Sequence, residues 1–135
     1  MNAFKISLER EQEIIESIAN DENRIMILGW IERKLVSVAQ LNVAGRPRIQ
    51  HNSEISISVS EKYWGIGVGS AVMEELIKFA KENPTIKNVS LGVKATNEKA
   101  IKLYEKFGFE VVGVHKNYFN INGEYTDSLI MGLYF

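Results

Sequence analysis

Three glycines at alternate positions, in Trp64-Gly65-Ile66-Gly67-Val68-Gly69-Ser70, lie between two segments of different periodicity. Before them, Glu54-Ile55-Ser56-Ile57-Ser58-Val59 alternates strictly, with Ile55, Ile57 and Val59 on one face and Glu54, Ser56 and Ser58 on the other. That is the pattern of a half-buried strand. After them, Val72, Met73, Leu76, Ile77 and Ala80 recur at helical spacing until Asn83-Pro84 stops the helix. A strand that runs through a glycine loop into a helix can bring its backbone close to an anion. Glycine has no Cβ to hold the anion off, and the first helical amides have no partner within the helix. A tight glycine turn with no ligand would show the same residues. Two other phosphate loops fail on spacing. A dinucleotide loop needs a third glycine where Ser70 stands, and an acid near the end of the next strand, where Gly92-Val93-Lys94 offers none. The Gly-Lys-Ser/Thr of a Walker loop is absent.

Composition narrows the chemistry around that loop. The 135 residues suit one domain, 1–135, and 45% hydrophobic content is enough for a core without disulfides or metal. Sixteen basic and 17 acidic residues leave a net charge of -1, so no basic excess points to nucleic acid as a partner. The absence of cysteine excludes thiolate nucleophiles and Cys-based zinc sites. His51 and His115 are far apart in sequence, and no metal is expected. No apolar run is long enough to span a bilayer and the N-terminus has no leader-like apolar region. The expectation is a cytoplasmic protein with no membrane partner.

Residues 7–20 read as a helix, with Ser7 as N-cap, Glu9 and Glu11 at the positive end of the dipole, and Ile14, Ile15 and Ile18 as an apolar stripe. Residues 24–30 and 35–43 read as strands around a turn at Glu32-Arg33-Lys34, and 89–93 as another strand. Thr96 or Asn97 caps a second helix with Ala100, Ile101, Tyr104 and Phe107 on its apolar side. Gly108 suits the left-handed position after that helix, with Phe109 making the contact that follows. Residues 109–114 and 124–133 read as strands around a turn at Asn122-Gly123. Strands with interposed helices make the fold α/β or α+β, with a mixed sheet.

Three motifs in order now resemble the GNAT superfamily of N-acetyltransferases. The strand and loop from Ile55 to Ala71 are similar to that family's acetyl-CoA motif. Asn97-Glu98-Lys99-Ala100-Ile101-Lys102-Leu103-Tyr104-Glu105-Lys106-Phe107-Gly108-Phe109 is similar to its N-x-x-A-x-x-x-Y-x-x-x-G-F helix. Gly123-Glu124-Tyr125-Thr126-Asp127 with Met131 resembles the closing strands of many bacterial members. The likeness runs from about residue 24 to the end. Trp64 departs from the family's usual Gln or Arg, so a side-chain contact to pyrophosphate from that position is in doubt. Less chain precedes Arg24 than the family usually has, which suggests a first strand missing through truncation, or a fold completed by a partner such as a second copy in a homodimer.

The resemblance implies a mostly antiparallel sheet of about six strands with helices on both faces. Strands 54–59 and 89–93 would run parallel and then splay. The pantetheine arm of acetyl-CoA would lie in the gap against Ser58 and Val59, and its pyrophosphate on the loop of Trp64, Gly65, Ile66, Gly67, Val68, Gly69 and Ser70. Asn97 would reach the pantetheine, although capping the helix explains it equally well. Acetyl transfer needs a neutral amine, a stabilised oxyanion and a proton for the departing thiolate. Tyr104 is the candidate acid and Glu54 the candidate base. Core packing for Tyr104 and solvation for Glu54 are the plainer alternatives. The acceptor, a primary amine on a small molecule, peptide or protein, would meet the N-terminal segment and the loops 44–52 and 115–123, with Tyr125 and Asp127 as candidates to shape its site. A CoA-binding regulatory module with lapsed catalysis is the alternative activity.

Overall fold

Every alternating segment read between Arg24 and the end of the chain becomes a strand of one sheet. The computed structural model describes residues 2–8, 13–21, 24–60, 62 and 67–135, the first two stretches as backbone alone. The elements run β1 (Asn2–Leu8), β2 (Glu13–Asp21), β3 (Arg24–Ile31), β4 (Lys34–Val43), β5 (Asn52–Val59), α1 (Val68–Glu82), β6 (Asn88–Lys94), α2 (Glu98–Lys106), β7 (Glu110–Ile121) and β8 (Glu124–Tyr134). The strand order is β1-β2-β3-β4-β5-β6-β8-β7, and of the neighbouring pairs only β5 and β6 are parallel. This is the expected mixed, mostly antiparallel α+β class.

The N-terminal reading is corrected. Ser7 does not cap a helix: it lies in β1 opposite Ile14 of β2, and β2 pairs along β3 from Glu13 to Asp21. Ile14, Ile15 and Ile18 fit a helical stripe, but β-branched side chains are also good strand residues, and β3 presents an edge for them to pair with. Pairing between strands decides against the local periodicity. These two strands add to the six read from the sequence and bring the sheet to eight.

Both helices pack on one face. A Cβ built on Gly69 would lie 3.1 Å from Cδ2 of Leu103, so the first turn of α1 meets α2 directly. The crossovers from β5 to β6 and from β6 to β7 step the same way across the sheet, and right-handed connections put both helices on the same side. Among the described residues no helix covers the opposite face, which had been expected to carry helices as well. The core lies under α1, whose Val72, Met73, Leu76 and Ala80 are fully buried against Ile27, Leu41, Val89 and Met131.

The hairpin joining β3 to β4 turns through Glu32 at φ 48° and Arg33 at φ 68°, a left-handed pair that neither side chain favours. Replacing Glu32-Arg33 with Asn-Gly is expected to stabilise the fold by about 1 kcal/mol. The check is the urea midpoint, and an unchanged or lower midpoint would contradict this account of the turn.

Candidate active site

β5 and β6 pair over only three positions, Asn52 with Asn88, Ser53 with Val89 and Glu54 with Ser90. Short polar side chains lock this closed end. Nδ2 of Asn88 donates to Oδ1 of Asn52 at 2.7 Å, Oγ of Ser53 donates to the carbonyl of Asn88 at 2.9 Å, and Oγ of Ser90 donates to the carbonyl of Ser53 at 3.3 Å. Past Glu54 the strands part. β5 stays with β4 as far as Val59 opposite Ser37, while β6 stays with β8 as far as Lys94 opposite Ser128. The two inner edges thus face each other across a gap, and an open strand edge is a template for another extended chain.

The gap holds a cleft of about 240 Å³. Ile57 and Leu91 line it together with Tyr104 of α2; Glu54, Ser56, Gly92 and Ser128 bring polar or open surface, and Tyr118 and Phe119 of β7 close it on the far side. Gly92 keeps the passage open, since a Cβ there would sit 3.2 Å from Oγ of Ser128. The cleft therefore brings both sequence-predicted catalytic candidates, Glu54 and Tyr104, to one cavity. Tyr104 is 8% exposed and its ring centroid lies 6.1 Å from that of Phe109. Core and cleft are both correct descriptions of its position. Burial removes water that would stabilise the phenolate, which pushes the Tyr104 hydroxyl above its ordinary 10.0 and keeps it protonated through the neutral range. Glu54, by contrast, is exposed.

The glycine loop enters α1 at its far end. Gly67 is the N-cap, at φ 95° and ψ 0°, with no side-chain cap and no acidic residue in the first turn. The amides of Val68, Gly69 and Ser70 begin the helix there, and the first turn itself carries no carboxylate to compete for its positive end. Trp64, Gly65 and Ile66, the first part of the predicted loop, lie outside the described residues. Ser58 and Val59 end β5 on its way toward that turn. Asn97 caps α2, its Oδ1 accepting from the amide of Ala100 at 3.2 Å, so the capping explanation holds for this residue. Its amide in turn donates to the carbonyl of Lys94 at 2.9 Å, which fixes it at the open end of the gap.

Sequence reasoning did not single out Tyr118, Phe119 or Ser128. Only the broad range 115–123 pointed that way. Their placement depends on an irregularity in β7 between His115 and Phe119, where three residues of β7 stand against one on β8. Asp127 braces it by accepting from the amide of Asn117 at 2.9 Å, and Asn117 takes φ 54°. Asp127 thus supports the wall of the cleft without lining it, and Tyr125, 64% exposed, is not among the lining residues either. His51 and His115 stay apart, one beside the closed end and the other on β7, and the described residues hold no group of three potential metal ligands.

A sequence model of the acetyltransferase (GNAT) family matches residues 2–109. The L-amino acid N-acetyltransferase AaaT of Escherichia coli (strain K12) is 33% identical over 116 residues, covering 86% of this chain and 72% of that protein. An N-alpha-acetyltransferase of Sulfurisphaera tokodaii is 38% identical over 65 residues, 48% of this chain, and the match spans only 39% of that relative's length. Among solved structures, an acetyltransferase of the GNAT family from Streptococcus pneumoniae matches with a TM-score of 0.81 at 27% identity, over 86% of this chain and 70% of that one.

The Gly67 conformation gives a direct test of the loop geometry. Gly67→Ala places a Cβ in the left-handed region and is expected to cost about 1–2 kcal/mol of folding stability, measured by urea denaturation. A variant as stable as the parent would mean that the turn does not hold this conformation.

Proposed function

We propose that this chain, which belongs to the acetyltransferase (GNAT) family, moves an acetyl group from acetyl-CoA to a primary amine. The observation that carries the reading is the parting of β5 and β6 beside the uncapped start of α1. An extended pantetheine arm fits between two open strand edges, bonding to main chain near Ser58 and Val59. A pyrophosphate at its other end would meet the amides of the glycine loop, of which Gly67, Val68, Gly69 and Ser70 start the helix. No metal is needed for this chemistry.

The carbonyl carbon of the thioester would then lie in the cleft shared by Glu54 and Tyr104. An amine with a pKa near ~10.4, if lysine-like, arrives mostly as ammonium and must lose a proton before it can attack. Glu54, with one side in solvent, is placed to take that proton and pass it to water. Attack gives a tetrahedral oxyanion with a protonated nitrogen; the nitrogen loses its second proton to water as collapse expels the CoA thiolate. Tyr104 donates its hydroxyl proton to that thiolate, and its raised pKa keeps it protonated through the neutral range. Over the cycle the nitrogen gives up two protons: one replaces the proton that Tyr104 passes to the thiol, and the other leaves to solvent.

The direct test is release of free thiol from acetyl-CoA across a library of primary amines. Thiol release that depends on the amine is the expected result; binding of acetyl-CoA without release would mark a cofactor-binding module instead. Tyr104→Phe is expected to lower kcat by about 100-fold with little change in acetyl-CoA affinity. Since burial raises the ionisation of Tyr104 above its ordinary 10.0, any fall of kcat with rising pH that belongs to this residue has its midpoint above that value. An unchanged kcat in the phenylalanine variant would remove Tyr104 from the mechanism. Glu54→Gln is expected to lower kcat/KM for the amine by at least about tenfold while acetyl-CoA still binds. Equal kcat/KM in the two proteins would place the base elsewhere.

A further inference from the structure

We propose that the acceptor is an amine on an aromatic or apolar body that bears no carboxylate beside the amine. This rests on the acetyl-transfer reading above and adds the acceptor class to it. The argument starts from charge. Among the described residues lining the cleft, Glu54 is the sole acidic side chain, and no lysine, arginine or histidine joins it. A second depression of about 420 Å³ adjoins the first on the same stretch of β5, sharing Glu54, Ile55 and Ser56. It adds Asn42, Asn52 and Ser90 to the surface, and again no basic side chain. Over the described residues the amine therefore approaches a surface with one carboxylate and neutral hydroxyls and amides.

Lys94 and Lys116 are close in the chain to lining residues, but neither lines the cleft. An ammonium group is attracted to Glu54 across this surface. A carboxylate on the neighbouring carbon meets the same Glu54 with like charge and, among the described lining residues, finds the hydroxyls of Ser56 and Ser128 and no cation. A free amino acid thus loses on one group what it gains on the other.

The far wall says what the rest of the acceptor is. The Tyr118 and Phe119 rings meet edge to face with centroids 5.1 Å apart, and His115 stands 4.6 Å beyond Tyr118. Tyr118 is 57% exposed although it lines the cleft, so its ring offers a face to solvent and to an entering ligand. Aromatic faces attract a cation electrostatically and pack well on another ring or an alkyl body. The segment that carries them is held by the Asn117 to Asp127 bond, so the wall is a built feature of the hairpin.

The test compares three acceptors that share one ring: phenethylamine, phenylalaninamide and phenylalanine, each at saturating acetyl-CoA with the unmodified protein. The first two are expected to show kcat/KM at least about tenfold above phenylalanine. Phenethylamine is the more basic amine and holds less neutral amine at a given pH, so its advantage over phenylalanine cannot come from amine ionisation. Ser56→Lys, which places a cation beside Glu54, is expected to narrow the ratio of phenethylamine to phenylalanine. Phenylalanine equal to or better than the other two would overturn the inference and leave acetyl transfer standing. Absence of thiol release with every amine in a broad library would overturn the transfer reading itself.

Discussion

Three rungs of parallel pairing between β5 and β6 set the geometry on which the rest of the site depends. Parallel strands in a sheet normally continue side by side until one ends. Here each leaves the other early and remains fully paired on its outer edge, β5 with β4 and β6 with β8. The asparagine and serine bonds at the closed end hold the strands together just where the pairing is short, so the divergence begins at a fixed point. Glu54 belongs to the last rung. Its position at the apex of the gap follows from the register of the ladder.

Everything chemically useful is arranged around that opening. Along the gap, unpaired edges offer main-chain groups to an extended ligand; at its wide end, α1 starts with a left-handed glycine and no side-chain cap. From the helix side, α2 brings Tyr104 into the cavity, and from the sheet's other neighbour the irregular β7 brings Tyr118 and Phe119. Burial separates the two candidate proton carriers in character. Tyr104 sits where water is scarce and keeps its proton, while Glu54 sits where water reaches it.

Much of this was legible in the sequence. Ile55, Ile57 and Val59 against Glu54, Ser56 and Ser58 gave a strand with correct faces, because a half-buried strand imposes a period of two that few other structures share. The Tyr104 stripe and Gly108 at φ 95° were likewise local signals, fixed by helix geometry. Residues 7–20 failed because Ile14, Ile15 and Ile18 fit a helical stripe while their β-branched side chains also suit a strand, and the choice was made by pairing with β3, which no local pattern encodes. Tyr118 and Phe119 were missed for a related reason: a bulge braced by Asp127 ten residues away turns an ordinary-looking strand into a cleft wall. Asn97 was legible as the cap of α2, because a capping side chain is a local signal, and the amide of Ala100 is its partner.

The central claim is that the gap between β5 and β6 receives the cofactor's extended arm. Amide hydrogen exchange, read residue by residue with and without acetyl-CoA, measures this most directly. The account predicts slower exchange on binding in residues 55–59 and 91–94, which edge the gap, and in residues 67–70 at the start of α1, with little change at the closed end near Asn52 and Asn88. Binding that leaves those amides unprotected, or that protects the sheet edge at β7 instead, would contradict it.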